Sequence, residues 1–289
     1  MNAEAQVHQI DPAGIVADLD ARARRVETPC GDGAIVWRIW GEGEPLVLGH
    51  GAQGAWSHWI HNIPGLAEKR MVIAIDMPGQ GDSAAPPQPD HDAISTVIAD
   101  GLNEILGDRL PVDIVGFSMG GVCLAHLAYY RPDMVRRLIA VATGGIDTPM
   151  GHVELHRLKG LDEKQRKEAV RANLLAMMLH HRESADDLSI HLLLTNARKA
   201  RVVSRDLVLP ARLLKILPDI RVPIDAIWGE LDAPHPDPVV QEAVFRRFQP
   251  HMEFRVIPGA GHWVMYERPE AFNAALLEML AKPVRTMRQ

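Results

Sequence analysis

The chain has 289 residues, 47% of them hydrophobic, and a formal charge of −6 from 31 Lys+Arg against 37 Asp+Glu. It is long enough to bury a substantial core, too apolar for a disordered chain, and lacks the basic excess of a nucleic-acid binder. Cys30 and Cys123 are too few for a disulfide framework, no apolar run approaches the ~18 residues of a membrane span, and residues 1–25 hold no apolar signal core.

The expectation is therefore a soluble, cytoplasmic protein. Neither nucleic acid nor membrane is expected as a partner, and a homodimer is left open. In chain order, the N-terminal stretch of roughly 20 residues is weakly patterned and reads as a loosely docked arm. Strands are predicted at Ala34–Trp40, Pro45–Gly49, Met71–Asp76, Val112–Phe117, Arg137–Thr143, Ile224–Gly229 and Met252–Pro258. The runs LVLG, VIAI, VDIVG and LIAVA are almost continuously apolar, as strands buried on both faces of a parallel sheet are. Helices are predicted at Ser57–Lys69, Asp92–Leu106, Met119–Arg131, Asp237–Phe248 and Pro269–Ala281. This alternation argues for an α/β fold with right-handed crossovers. It breaks over Ile146–Asp219, which holds no convincing strand and reads as a helical insertion, and it resumes at RVPIDAIWGE.

Gly116-Phe117-Ser118-Met119-Gly120 is a G-x-S-x-G that follows an apolar strand and opens a predicted helix. That is the setting of a nucleophile elbow, a sharp turn that exposes the serine hydroxyl while glycines keep side chains out of the crowded turn. A serine needs a general base, and the base an orienting acid. IDAIWGELD ends a strand in a turn with two acids; Asp232 is the preferred acid and Glu230 its rival. MEFRVIPGAGH is a strand, a glycine-rich loop and His262, an imidazole able to accept a proton near neutral pH. An oxyanion needs two preorganised N–H donors. Met119, after the serine, is one; Ala52, after His50-Gly51, is the other. His50 reads as a histidine that shapes this loop.

These residues resemble the α/β-hydrolase fold superfamily. The likeness rests on His50-Gly51, Asp76-Met77-Pro78-Gly79-Gln80-Gly81-Asp82-Ser83, the Ser118 elbow, Asp232 and Gly261-His262-Trp263, with triad order Ser118, Asp232, His262. It covers about Val36 to Leu280. The resemblance implies an eight-stranded, mostly parallel sheet flanked by helices, with a helical cap inserted after strand 6. The core would be residues 1–145 and 220–289, and the cap 146–219. Fold analogy alone does not set the substrate; with the triad, the expectation is a serine hydrolase of a small-molecule carbonyl substrate, a carboxylic ester or lactone, needing no metal and no organic cofactor.

Gly261-His262-Trp263 followed by Glu267, Pro269, Phe272 and Asn273 is similar to the meta-cleavage product hydrolases, which split a carbon–carbon bond in vinylogous 1,5-diketones. That likeness makes Arg198 the match for a carboxylate-binding cap arginine; its competing reading is a solvated helix charge. The loop departs from that family's Gly-Pro-Gly, reading Ala52-Gln53-Gly54-Ala55. The elbow is equally similar to enol-lactonases and haloperoxidase-like esterases, and a binding protein with decayed catalysis is a further alternative. Gln53 and Trp263 join Arg198 as candidate substrate contacts.

Other motifs have plainer readings. Gly79–Ala84 fits G-x-G-x-x-A, but AAPPQP follows and cannot open the helix a dinucleotide site needs. His152, His180, His181 and His191 lack metal-site spacing, and Cys123 reads as a small buried hydrophobe. Trp56, Trp59 and Trp263 flank the motifs and any of them could wall the pocket, with packing beneath the loops as the plainer reading.

Overall fold

The computed structural model describes residues 11–285. Eight strands form one sheet: β1 (Arg24–Cys30), β2 (Gly33–Trp40), β3 (Pro45–Gly49), β4 (Met71–Ile75), β5 (Val112–Phe117), β6 (Val135–Val141), β7 (Ile224–Gly229) and β8 (Phe254–Ile257). Their order is β1-β2-β4-β3-β5-β6-β7-β8. Both pairings of β2 are antiparallel and the rest are parallel. The helices are α1 (Pro12–Ala21), α2 (Ile63–Ala67), α3 (His91–Leu106), α4 (Met119–Tyr130), α5 (Glu163–Met177), α6 (Asp187–Ala197), α7 (Pro238–Arg246), α8 (Val264–Glu267) and α9 (Pro269–Ala281). Every residue of β3, β4, β5 and β7 is buried. Their unbroken apolar runs follow from having both faces covered.

Four expectations need correction. The N-terminal arm is helical from Pro12, with Asp11 as its cap, and it is docked rather than loose. Trp40 donates its indole N–H to Leu19 O, and Arg38 pairs with Asp20. These polar contacts leave no hydropathy signature, and residues 1–10 lie outside the described residues. Edge strand β1 was missed because only Thr28 and Cys30 in it are buried. Strand β6 starts earlier than expected because Arg136 and Arg137, which break its apolar run, both donate to buried Asp113. The predicted helix Ser57–Lys69 is a 3-10 turn at Trp56–Trp59 followed by α2; Pro64 has no N–H to continue a helix and instead starts a new one.

Residues 146–219 leave the sheet after β6 and return at β7. They hold α5, opened by an Asp162/Gln165 capping box, α6 and three 3-10 turns. Irregular backbone fills much of the remainder, so the segment is less helical than expected. Several bonds tie it to the core. Trp263 N–H donates to Met178 O, Arg201 N–H donates to Gly79 O, and Lys199 pairs with Asp82.

Candidate active site

Strand β5 ends at Phe117, and the chain turns into α4 through Ser118 at φ 50°, ψ −118°. This is a sparsely populated conformation for a side-chain-bearing residue, held only where the surroundings impose it. The glycines on either side make it sterically feasible. A Cβ on Gly116 would lie 2.5 Å from Gly121 Cα, and one on Gly120 would collide with His50 O.

The loop after β8 carries His262 onto this turn. Its Nε2 lies 3.2 Å from Ser118 Oγ, and its Nδ1 lies 2.9 Å from Asp232 Oδ2. The Ser118 hydroxyl can therefore donate to Nε2 while Nδ1–H donates to the carboxylate. Asp232 and His262 are 1% and 2% exposed, a dry setting in which this pairing acts with little solvent screening. Glu230, the rival acid, points elsewhere and accepts the Gly259 N–H at 2.8 Å.

His50 shapes the facing loop. Met77 N–H donates to its Nε2 at 2.9 Å, which leaves the proton on Nδ1 to donate to Gly51 O at 2.7 Å. Burial lowers its pKa, with Asp76 opposing, so the ring works here as a neutral strut. Ala52, directly beyond, lines the same chamber as Ser118 and Met119. Met119 opens α4, so its N–H has no intrahelical acceptor. Among the described residues, the Ala52 N–H also has no acceptor.

The chamber has a volume of about 1180 Å³ and runs from Ser118 and His262 into residues 146–211. Gln53 and Arg198 line it. Its apolar wall includes Ile146, Met177, Leu193, Leu194, Val208 and Leu209. Lys159, Arg166, Arg198 and Arg205 also line it, against a single acid, Asp147. None of the four cations is in a salt bridge among the described residues.

Trp263 is the sequence-predicted contact that sits elsewhere. It is 1% exposed, donates its indole N–H to His58 O at 2.9 Å and stacks on Tyr266 at 4.3 Å. It packs beneath the loop instead of walling the chamber, because its N–H finds a protein acceptor there. Trp56 and Trp59 are likewise buried. Burial pushes the Cys123 thiol up to about 12, so it is the inert small hydrophobe expected.

Two residues have contacts that the sequence did not reveal. Glu267 accepts backbone N–H groups from His180, His181 and Gly261 at 2.8, 2.6 and 2.6 Å. It thereby holds the His262 loop to the end of α5; its sole sequence signal was its spacing from Gly261-His262-Trp263. His235 lines the chamber beside Asp232 and His262, and only its nearness to Asp232 in sequence could have pointed to it. Ligand-type atoms of Asp232, His235 and His262 lie within 4.8 Å of one another, a donor set of the kind zinc takes. In this arrangement Asp232 and His262 are bonded to each other. No helix among the described residues is long and apolar enough to cross a membrane.

This order of elements around a serine turn defines an α/β-hydrolase, and the comparison with known families agrees. The chain belongs to the alpha/beta hydrolase family, whose model matches residues 46–275. It is similar to the dihydrolipoyllysine-residue acetyltransferase component of the acetoin cleaving system of Pseudomonas putida, at 29% identity over 256 residues. That match covers 83% of this chain and 64% of the relative, so the chain spans less than two thirds of its length. It is also similar to a 2-hydroxy-6-oxononadienedioate/2-hydroxy-6-oxononatrienedioate hydrolase of Pseudomonas sp, at 26% identity over 84% of this chain and 90% of the relative. Among solved structures, the esterase RhEst1 from Rhodococcus sp. ECU1013 superposes with a TM-score of 0.73 at 21% identity, covering 89% of this chain and 98% of that one. At that identity the likeness speaks for the fold.

Proposed function

We propose that the protein is a serine hydrolase that cleaves a carboxylic ester or lactone through an acyl-enzyme. The observation that carries this reading is the continuous chain from Asp232 through His262 to Ser118 Oγ, at 2.9 and 3.2 Å, opening into an apolar chamber. Ser118 Oγ attacks the carbonyl carbon as His262 Nε2 takes its proton. Asp232 holds the ring and stabilises the imidazolium. The N–H groups of Ala52 and Met119 stabilise the oxyanion, and one such donor contributes about 3–4 kcal/mol in enzymes of this kind. His262 then protonates the departing alkoxide. Water enters, gives its proton to His262 and attacks the acyl carbon; the carboxylic acid leaves and Ser118 regains its proton. Residues 146–219 act as a cap that limits water around the reacting atoms, over a core of residues 1–145 and 220–289.

A second reading, carbon–carbon bond hydrolysis, draws on the unpaired cations of the chamber. In it Arg198 holds a substrate carboxylate and the same serine chemistry follows. The relative whose name describes an oxo-dienedioate hydrolase supports it.

The test is labelling with a fluorophosphonate probe, followed by turnover of short acyl esters, enol-lactones and a vinylogous 1,5-diketone. A stoichiometric adduct that disappears in Ser118→Ala, with ester turnover falling by several orders of magnitude, is the expected result. No adduct in the unmodified protein would overturn the enzyme reading in favour of a ligand-binding protein.

A further inference from the structure

His235 is a second imidazole in the chamber, and the serine chemistry does not use it. Its backbone N–H donates to Asp232 Oδ1 at 2.9 Å, so one turn sets both acid and ring. The ring stacks on His262, with centroids 5.5 Å apart and 24° between planes, and meets Trp228 edge-on at 6.0 Å and 89°. At 7% exposure it has no room to swing into solvent. Nδ1 is enclosed, makes no hydrogen bond and faces Asp232 Oδ1 at 3.7 Å. The carboxylate charge on that side favours the ring proton at Nδ1. The other edge borders the chamber. A Cβ built on Gly144, itself a chamber residue, would lie 3.4 Å from Nε2 and 3.7 Å from Cε1. Burial, ahead of the nearby charges, pushes the imidazole down to about 4, so the ring is neutral near pH 7.

The chamber therefore receives an Nε2 lone pair with no donor among the described residues. The charged groups of the lining are mainly donors, with Asp147 the one carboxylate. Ala52 and Met119 present N–H groups, the cations are donors, and His262 Nε2 already faces the Ser118 hydroxyl. An unmet acceptor in a buried site becomes favourable when a ligand supplies the donor.

We propose that His235 Nε2 accepts a hydrogen bond from a hydroxyl close to the scissile carbonyl, so that His235 selects hydroxyacyl substrates over plain acyl ones. The proposal rests on the serine hydrolase reading for the position of that carbonyl. The acceptor itself does not depend on turnover, and the test exploits this.

Titration calorimetry on Ser118→Ala compares ethyl 2-hydroxyhexanoate and ethyl 3-hydroxyhexanoate with ethyl hexanoate. One hydrogen bond made in the chamber predicts about tenfold tighter binding for at least one hydroxy ester. On the same background His235→Leu reduces that ratio to about one, while His235→Gln, which keeps an acceptor oxygen, retains most of it. Thermal melts check that each variant is folded. Equal affinities for all three esters, no measurable binding of the hydroxy esters, or a preference that survives His235→Leu would overturn the proposal. Failure of the hydrolase reading is seen separately, as absent turnover and absent probe adduct in the unmodified protein.

Discussion

Glu267 ties the base-bearing loop to the segment above it, and its removal should cost both stability and rate. Its Oε1 accepts from His180 and His181, its Oε2 accepts from Gly261, and the residue is 6% exposed. Glu267→Ala leaves three buried N–H groups without an acceptor. A hydrogen bond to a charged group contributes about 1.5–3 kcal/mol. The three share one carboxylate and water can refill part of the gap, so the expected loss is about 4 kcal/mol, below their sum. At about 2–4 °C per kcal/mol, the melting temperature should fall by roughly 8–16 °C. Glu267→Gln offers one oxygen and one N–H2, so one of the two ends meets donor against donor, and about half that loss is expected. Because His262 follows Gly261 directly, kcat should also fall, on the order of 10–100-fold, from misplacement of the base. Urea unfolding and ester kinetics measure the two effects. A Glu267→Ala protein within 1 kcal/mol of the parent, with unchanged kcat, would refute this reasoning.

Asp232→Asn should lower kcat by about 10⁴-fold, because an amide no longer holds the imidazole in the working tautomer. Glu230→Gln should stay within about threefold, since Glu230 bonds only the Gly259 N–H; equal losses in initial rates would refute the choice of acid. Arg198→Ala should raise KM about tenfold more for a carboxylate-bearing ester than for its neutral analogue, and parallel changes would dismiss carboxylate binding. Burial pushes His91 and His126 down to about 4 each, below the ~6.5 of an unfolded-chain imidazole. Between those values the unfolded chain binds protons that the folded chain does not, so stability is full above pH ~6.5 and falls as pH drops towards 4. His91→Phe, which keeps a ring against His126, should flatten that fall in melting temperature; an unchanged slope would sink the explanation.

Legibility in the sequence followed burial and local backbone demand. The bounds of β3, β5, β7 and α9 match expectation because their strands are apolar on both faces and α9 opens with Pro269 at its first position. The Ser118 turn was legible for a different reason. Its glycines answer steric contacts with Gly121 and His50 that any such elbow must avoid. Helix α1 was obscure because its docking relies on the Arg38–Asp20 and Trp40–Leu19 contacts, which no periodicity reveals, and edge strand β1 because only Thr28 and Cys30 in it are buried. For Trp263 the sequence allowed both packing and a place in the chamber, and the acceptor at His58 O is the fact that decides between them.

The residues that stayed hidden share a physical character. Glu267 bonds a backbone N–H 87 positions away, and His235 acquires its meaning from the ring of His262 and the indole of Trp228. A motif residue such as Ser118 constrains its own neighbours, so its requirements are written around it. A supporting residue constrains a partner elsewhere, and a carboxylate that accepts backbone N–H groups leaves no trace in the identity of the residues it holds. The same logic joins the two elements that carry Ala52 and Met119. Because a side chain on Gly120 would strike His50 O, the first turn of α4 can lie against the loop that His50 fixes through Gly51 and Met77. Ala52 and Met119 thus line one chamber through a contact made possible by a missing side chain on one element and a single imidazole tautomer on the other.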